Sequence, residues 1–402
     1  MAKAENLSVF EKLQELNPEA EIWWDSSPLI YEAWAKELIS SIKDEDKKEK
    51  IKKTLFRFYN SDNPEKSFFR GVTTNPPLSL DVLKYHTDYW RGFVQRVHRI
   101  SPNKKAGEIF WQMYKEIIRK GAELFIPVFE SSNYKHGYIS AQLDPRDREN
   151  FDFMLEQAEE LASLSPNIMI KVPGTKEGYE LIKVLTSRGI PTNNTLSFMI
   201  PQFAACAKAV KEGVEIAKKN AVDLTTWRSV ITFMSSRFTT LGSLEKEAKQ
   251  KGIELSEEDM RWVELAIMKK AYLILKEGNY PSKMLLCSMR ISPTINGEKH
   301  CWHLEKLAGA GIVFTCPPKF IAPLLLEGDH IQFSNQIDEP APDDVLQKLL
   351  NIEYFARGYD EKGYEPEEFN FHPALLNTAK QFSQAANQMI NFVKETVPQL
   401  QV

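Results

Sequence analysis

Lys171 lies in the run NIMIKVP, between Ile168, Met169 and Ile170 on one side and Val172 and Pro173 on the other. A strand of that composition is ordinarily buried on both faces, and burying an unpaired ammonium is costly. Two readings stand. The lysine either snorkels to water or pairs with a carboxylate, or it is an amine whose pKa falls on desolvation, leaving it neutral enough to attack a carbonyl. Asp25 closes EIWWD, where it is able to move protons or, alternatively, to cap a helix. Thr73, Thr74 and Asn75 end one further run, and Asn193 and Thr195 end another, each set supplying hydroxyl and amide groups. Arg237 with Ser236, and Arg290 with Ser288, stand at the ends of two more. Guanidinium and hydroxyl donors in such places clamp phosphate, or else the arginines form surface ion pairs.

Other chemistries lose support. The phosphate-loop, HExxH, EF-hand and nucleophile-elbow patterns are missing, and the seven histidines form no ligand-spaced pair. Cys206, Cys287, Cys301 and Cys316 show no CxxC spacing and read as reduced thiols rather than a zinc or disulfide framework. With 51 basic and 55 acidic residues the formal net charge is -4, which argues against a chain that coats nucleic acid or anionic membrane. An anionic ligand must then be met by local charge. The N-terminal MAKAENLSVFEKLQELNPEAE lacks the apolar stretch of a signal peptide, and no later segment approaches the roughly 20 apolar residues of a membrane span, so a cytoplasmic location is expected.

Eight short apolar or β-branched runs recur, each followed by helical periodicity. They end at Asp25, Pro76, Leu143, Pro173, Thr195, Ser235, Met289 and Cys316. This alternation points to an α/β fold, a parallel (β/α)₈ TIM barrel, with a helical segment before it and a helical extension after it. Strand C-terminal ends of such a barrel converge on one mouth, which would let Asp25 and Lys171 share a site. Between the second and third runs, Leu83, Tyr85, Trp90, Phe93, Val94 and Val97 fall on one helical face and imply a helix. The charged KDEDKKEKIKK reads as a solvated helix, and NQIDEPAPDDV as a connector. Beyond it Leu375, Leu376, Ala379, Phe382, Ala386, Met389, Ile390 and Val393 form an apolar stripe that packs on the barrel or on a partner subunit, so a homo-oligomer stays open. The expected organisation is one domain over residues 1–402, with the barrel at about 20–330 and the extension at about 340–402.

RGVTTNPPLSL resembles the transaldolase signature around a Thr-Thr-Asn-Pro strand end. IMIKVPGTKEGYELIKVLTSRGIPTNNT resembles the second signature, which contains the Schiff-base lysine, and the similarity spans about residues 20–320. The segment between Ala209 and Trp227 and the long tail resemble the longer transaldolase forms. The resemblance implies that Lys171 forms the imine, that Asp25 transfers protons, and that Asn75 and Asn193 hold substrate hydroxyls. It further implies that Thr195 positions a catalytic water and that Arg237, Ser288 and Arg290 hold phosphate. Thr232 lies where a serine is common, and Thr73 near the same mouth. Two departures stand out. Gln142 occupies a place usually held by glutamate and resembles the fructose-6-phosphate aldolase branch, yet Met234 stands where that branch has tyrosine. Tyr138 and Thr195 are the alternates for handling water. The implied activity is transfer of a dihydroxyacetone unit between sugar phosphates in the non-oxidative pentose phosphate branch, without metal or organic cofactor. The rivals are a cleaving aldolase, a relative acting on another anionic ketose, and a catalytically silent barrel that serves as a binding protein.

Overall fold

The computed structural model describes residues 7–401; residues 1–6, part of the stretch read above for a signal peptide, and the final Val402 of the extension lie outside them. The eight runs form eight parallel strands: Glu21–Trp24 (β1), Gly71–Thr73 (β2), Tyr138–Gln142 (β3), Ile168–Pro173 (β4), Thr192–Thr195 (β5), Ser229–Met234 (β6), Lys283–Cys287 (β7) and Val313–Cys316 (β8). They close into a barrel in sequence order, each strand beside the next and β8 beside β1. Every residue of these eight strands except Lys283 is buried, as parallel strands covered by helices should be. A helix at Val9–Leu16 precedes β1, capped reciprocally by Ser8 and Glu11. The helices after β8 end with Pro373–Thr396. No described helix is long and apolar enough to cross a membrane.

Internal packing divides the described chain into two compact units. The first comprises residues 7–23, Arg148–Phe151 and Lys171–Thr378. Its ladder sets Asn193 opposite Val230, and Thr232 opposite Leu285. Gln202, fully buried on the apolar helix Ile200–Lys219, ties down two strand ends at once. Its Nε2 donates to Gly174 O at 2.8 Å and to Leu196 O at 2.9 Å, while its Oε1 accepts from Phe198 N at 2.9 Å. Gly174 has no room for a side chain here, because a Cβ would lie 2.8 Å from Leu196 O. The turns beyond β4 and β5 are therefore held by one amide and one glycine.

The second unit comprises Trp24–Asp147, Asp152–Ile170 and residues 379–401. Trp24 packs against Tyr31 and Phe69, with ring centroids 5.1 and 5.7 Å away, and this cluster roots the chain immediately before Asp25. Asn167 bridges Ala122 O and Gly137 O at 3.0 and 2.9 Å, joining the long helix Ala106–Ser131 to the start of β3.

Several helical expectations need correction. The stretch between β2 and β3 holds helices at Pro76–Tyr85 and Thr87–Ile100, broken at His86, followed by Ala106–Ser131. His86 at φ -132°, ψ 44° interrupts the spiral, so the face drawn through Leu83 to Val97 is split. Leu83, Trp90 and Val94 are buried, whereas Tyr85 is exposed. In the last helix Leu375, Ala379, Phe382, Ala386, Met389 and Val393 are buried, but Leu376 is exposed and Ile390 only half-buried. The charged helix forms at Glu45–Phe58 and buries Ile51, Leu55 and Phe58.

His372 is a buried ring in the first unit, with centroids of Tyr354 and Phe238 5.3 and 6.0 Å away and Tyr364 edge-on at 5.5 Å. Desolvation, with help from the Arg357 charge, pushes its pKa down to about 3. An unfolded imidazole titrates near 6.5, so between those values the unfolded chain binds more protons and stability falls as pH falls through 6.5 toward 3. At roughly 1.4 kcal/mol per pH unit, the loss from this ring near pH 4.5 is about 2 to 3 kcal/mol. In urea unfolding, His372→Phe is expected to lose about 2 kcal/mol less than the parent between about pH 7 and about pH 4.5. Equal losses would mean that the folded ring accepts a proton.

Candidate active site

Lys171 stands in β4, 4% exposed, with Ile170 and Val172 fully buried on either side in sequence. The apolar run that makes the strand thus removes the amine from bulk water. In the same unit β5 and β6 supply a polar row. Thr232 Oγ1 donates to Asn193 Oδ1 at 2.6 Å, which fixes the amide's orientation. Thr195 Oγ1 lies 3.9 Å from the Met234 sulfur, a weak acceptor that a water oxygen would readily replace. All four of these residues are buried.

The candidate anion ligands follow β6 and β7. Arg237 lies in the helix Ser235–Leu241, half-buried, with Nη1 3.4 Å from Thr378 Oγ1. Ser235 Oγ donates to Cys287 O at 3.1 Å, binding the start of that helix to the end of β7. Ser288 comes next with φ 60°, the left-handed region that a serine seldom occupies. Arg290 is exposed, but its backbone N–H donates to His303 Nδ1 at 3.0 Å. Among the described residues no carboxylate pairs with the exposed Arg290, which counts against the surface ion-pair reading.

In the second unit Thr73 Oγ1 donates to Asp25 Oδ1 at 2.7 Å. Asp25 is not the cap of the following short helix; Ser27 is, accepting from Leu29 N at 3.4 Å. Asn75 is a cap. Its Oδ1 accepts from Leu78 N at 3.0 Å at the head of Pro76–Tyr85, so its carbonyl is occupied and its NH₂ group remains to meet a ligand. Thr74 turns outward to Ser140 O at 2.6 Å. Gln142 is 3% exposed, and its Oε1 is buried without a hydrogen-bond partner among the described residues. Its backbone is gripped by Tyr114, whose hydroxyl donates to Gln142 O and accepts from Gln142 N, both at 2.9 Å.

Gln202, Tyr114 and Thr378 are supporting residues that sequence reading passed over. Gln202 left a trace, as a lone amide on a face that also carries Phe203, Cys206 and Ala207. The four cysteines are free and buried, and burial pushes the Cys206 and Cys301 thiols up, away from thiolate chemistry. Among the described residues no cluster of three His, Cys, Asp or Glu is placed to hold a metal ion.

Comparison with known proteins identifies the family. A family model described as transaldolase/fructose-6-phosphate aldolase matches residues 44–388. A protein named transaldolase from Thiobacillus denitrificans is 29% identical over 290 residues, covering 67% of this chain and 77% of that protein. One from Campylobacter jejuni is 35% identical over 187 residues, covering 45% and 55%. One from Kocuria rhizophila is 30% identical over 172 residues, covering 42% and 46%. The chain thus spans about half the length of the latter two relatives. With most of its length matched by one model and a closed parallel barrel carrying a buried strand lysine, the chain belongs to the transaldolase/fructose-6-phosphate aldolase family.

Proposed function

We propose that this chain is a Schiff-base transaldolase acting on sugar phosphates in the cytoplasm, and the observation that carries the reading is Lys171, an amine 4% exposed in the apolar strand β4. Its Nζ attacks the carbonyl carbon of a ketose phosphate, and loss of water gives a protonated imine. Asp25, held by the Thr73 hydroxyl, takes the proton of the substrate hydroxyl as the adjacent carbon–carbon bond breaks. The bonding electrons pass into the imine, which becomes an enamine, and the first aldehyde departs. The enamine carbon then attacks an acceptor aldehyde, whose oxygen takes back the proton held by Asp25, and water handled by Gln142 and Thr195 hydrolyses the new imine to free the product and Lys171. Asn193, oriented by Thr232, and Asn75 offer NH₂ donors to the substrate hydroxyls. The role of Asp25 is supported by its position after β1, since it precedes the matched residues 44–388.

Arg237, Ser288 and Arg290 hold the phosphate in this reading. The test is transfer from fructose 6-phosphate to erythrose 4-phosphate by the parent chain and by Arg237→Ala and Arg290→Ala. Each variant is expected to lose roughly tenfold or more in kcat/KM for the phosphorylated acceptor, the scale of one hydrogen bond to a charged group, and less for glyceraldehyde. Equal losses on both acceptors would remove the phosphate assignment. A second reading, cleavage to free dihydroxyacetone, is favoured by the amide of Gln142 where transaldolases carry a carboxylate. Release of dihydroxyacetone without an acceptor would select it.

A further inference from the structure

Beneath the two arginine-bearing segments lies a buried charge network that the proposed mechanism does not use. Glu264, fully buried in the helix Glu257–Glu277, has Oε1 2.6 Å from Thr239 Oγ1, on the same short helix as Arg237. Its Oε2 lies 2.8 Å from Arg261 Nη1 and 2.7 Å from His303 Nε2, the approaches being off the direct N–H axes. His303, also fully buried, accepts the Arg290 N–H at Nδ1, which places the ring proton on Nε2, facing Glu264. The Cys301 thiol adds a contact to Arg290 O at 3.4 Å. The same helix grips the chain beyond Arg290, for Glu257 accepts from Ser292 Oγ at 2.8 Å and from Thr294 N at 3.0 Å.

Removing these charges from water costs several kcal/mol per ion, and an apolar filling of equal volume would serve packing as well or better. What the network supplies is a fixed link between two segments that packing alone would let shift. We infer that Thr239, Glu264 and His303 are positioning residues that set the spacing of the Arg237 and Arg290 arms, and so tune the site for the phosphate of a sugar phosphate; this rests on the reading of those arginines given above. Both arms hang from one carboxylate, so loosening either is felt by a ligand that bridges them.

The experiment uses the full chain with Thr239→Val, Thr239→Ser and Glu264→Gln, measuring kcat and KM for erythrose 4-phosphate and for glyceraldehyde, and competitive inhibition by inorganic phosphate. Thr239→Val cuts the link from Glu264 to Arg237's helix, together with the hydroxyl's 2.9 Å contact to Ser236 O in the same helix, and leaves the Arg261, Glu264 and His303 contacts in place. It is expected to raise the erythrose 4-phosphate KM and the phosphate inhibition constant about five- to tenfold, the scale of one ordinary intramolecular hydrogen bond, with kcat and the glyceraldehyde KM nearly unchanged. Thr239→Ser should restore both constants. Glu264→Gln should show the same split more strongly, and should it not fold, Thr239→Val decides. Unchanged phosphate inhibition and an unchanged erythrose 4-phosphate KM in Thr239→Val would overturn the inference while leaving the phosphate site standing. A parent chain that does not prefer erythrose 4-phosphate to glyceraldehyde would overturn the phosphate site and the inference together.

Discussion

Lys171→Met is expected to abolish turnover while leaving the barrel folded. Methionine matches the length of the lysine stem and is apolar, so in a strand position 4% exposed it removes a polar group without opening a cavity. Activity should not survive, because no thioether forms an imine. The loss is at least about 10⁶-fold, the low end of enzymic rate acceleration, and is read as disappearance of transfer between fructose 6-phosphate and erythrose 4-phosphate. The direct measurement is borohydride reduction in the presence of dihydroxyacetone, followed by peptide mapping. The parent should carry the reduced adduct on Lys171, and Lys171→Met none. An adduct on a different lysine, or near-normal turnover in Lys171→Met, would be fatal to the mechanism.

The second large effect is expected from Gln142→Glu. The buried Oε1 of Gln142 has no partner among the described residues, so it faces a place where a water or substrate atom is needed, yet an amide cannot exchange a proton. A glutamate there can. Burial raises its pKa, bringing it toward the range in which one carboxyl both donates and accepts near neutral pH. Imine formation and hydrolysis should speed up, by about 10²- to 10⁴-fold if the carboxyl operates fully. The companion change Met234→Tyr puts a phenol beside Thr195, 3.9 Å from the present sulfur, and should shift product toward free dihydroxyacetone. Stopped-flow imine formation and the transfer-to-cleavage ratio read both effects. Unchanged values would hand water to other groups. Of the two alternates, Tyr138 begins β3 and its hydroxyl donates to Tyr134 O at 2.8 Å, at the strand end remote from Gln142, which leaves Thr195.

The strands were legible because each is a local run whose composition suits double-sided burial, and turn residues punctuate the gaps between them. Lys171 was legible for the complementary reason: a cation inside such a run conflicts with its surroundings, and the conflict is visible without knowing any neighbour in space. The break at His86 was not, since the apolar spacing from Leu83 to Val97 continues across it while a single residue's φ and ψ decide whether the spiral does. Nor could sequence separate the two ends of Asn75, whose carbonyl caps its own helix and whose NH₂ group alone remains for a ligand. The same limit applied to Leu376, which keeps the helical spacing of its neighbours yet stays in solvent. Least legible was the link from Thr239 through Glu264 and His303 to Arg290, because Glu264 reads as one more charge on a charged helix. Residue type and spacing determine which strands and helices form and which groups stand at strand ends. Which of those groups meet, and which are held rigid by buried partners, depends on contacts between segments far apart in the chain, and only tertiary packing decides those.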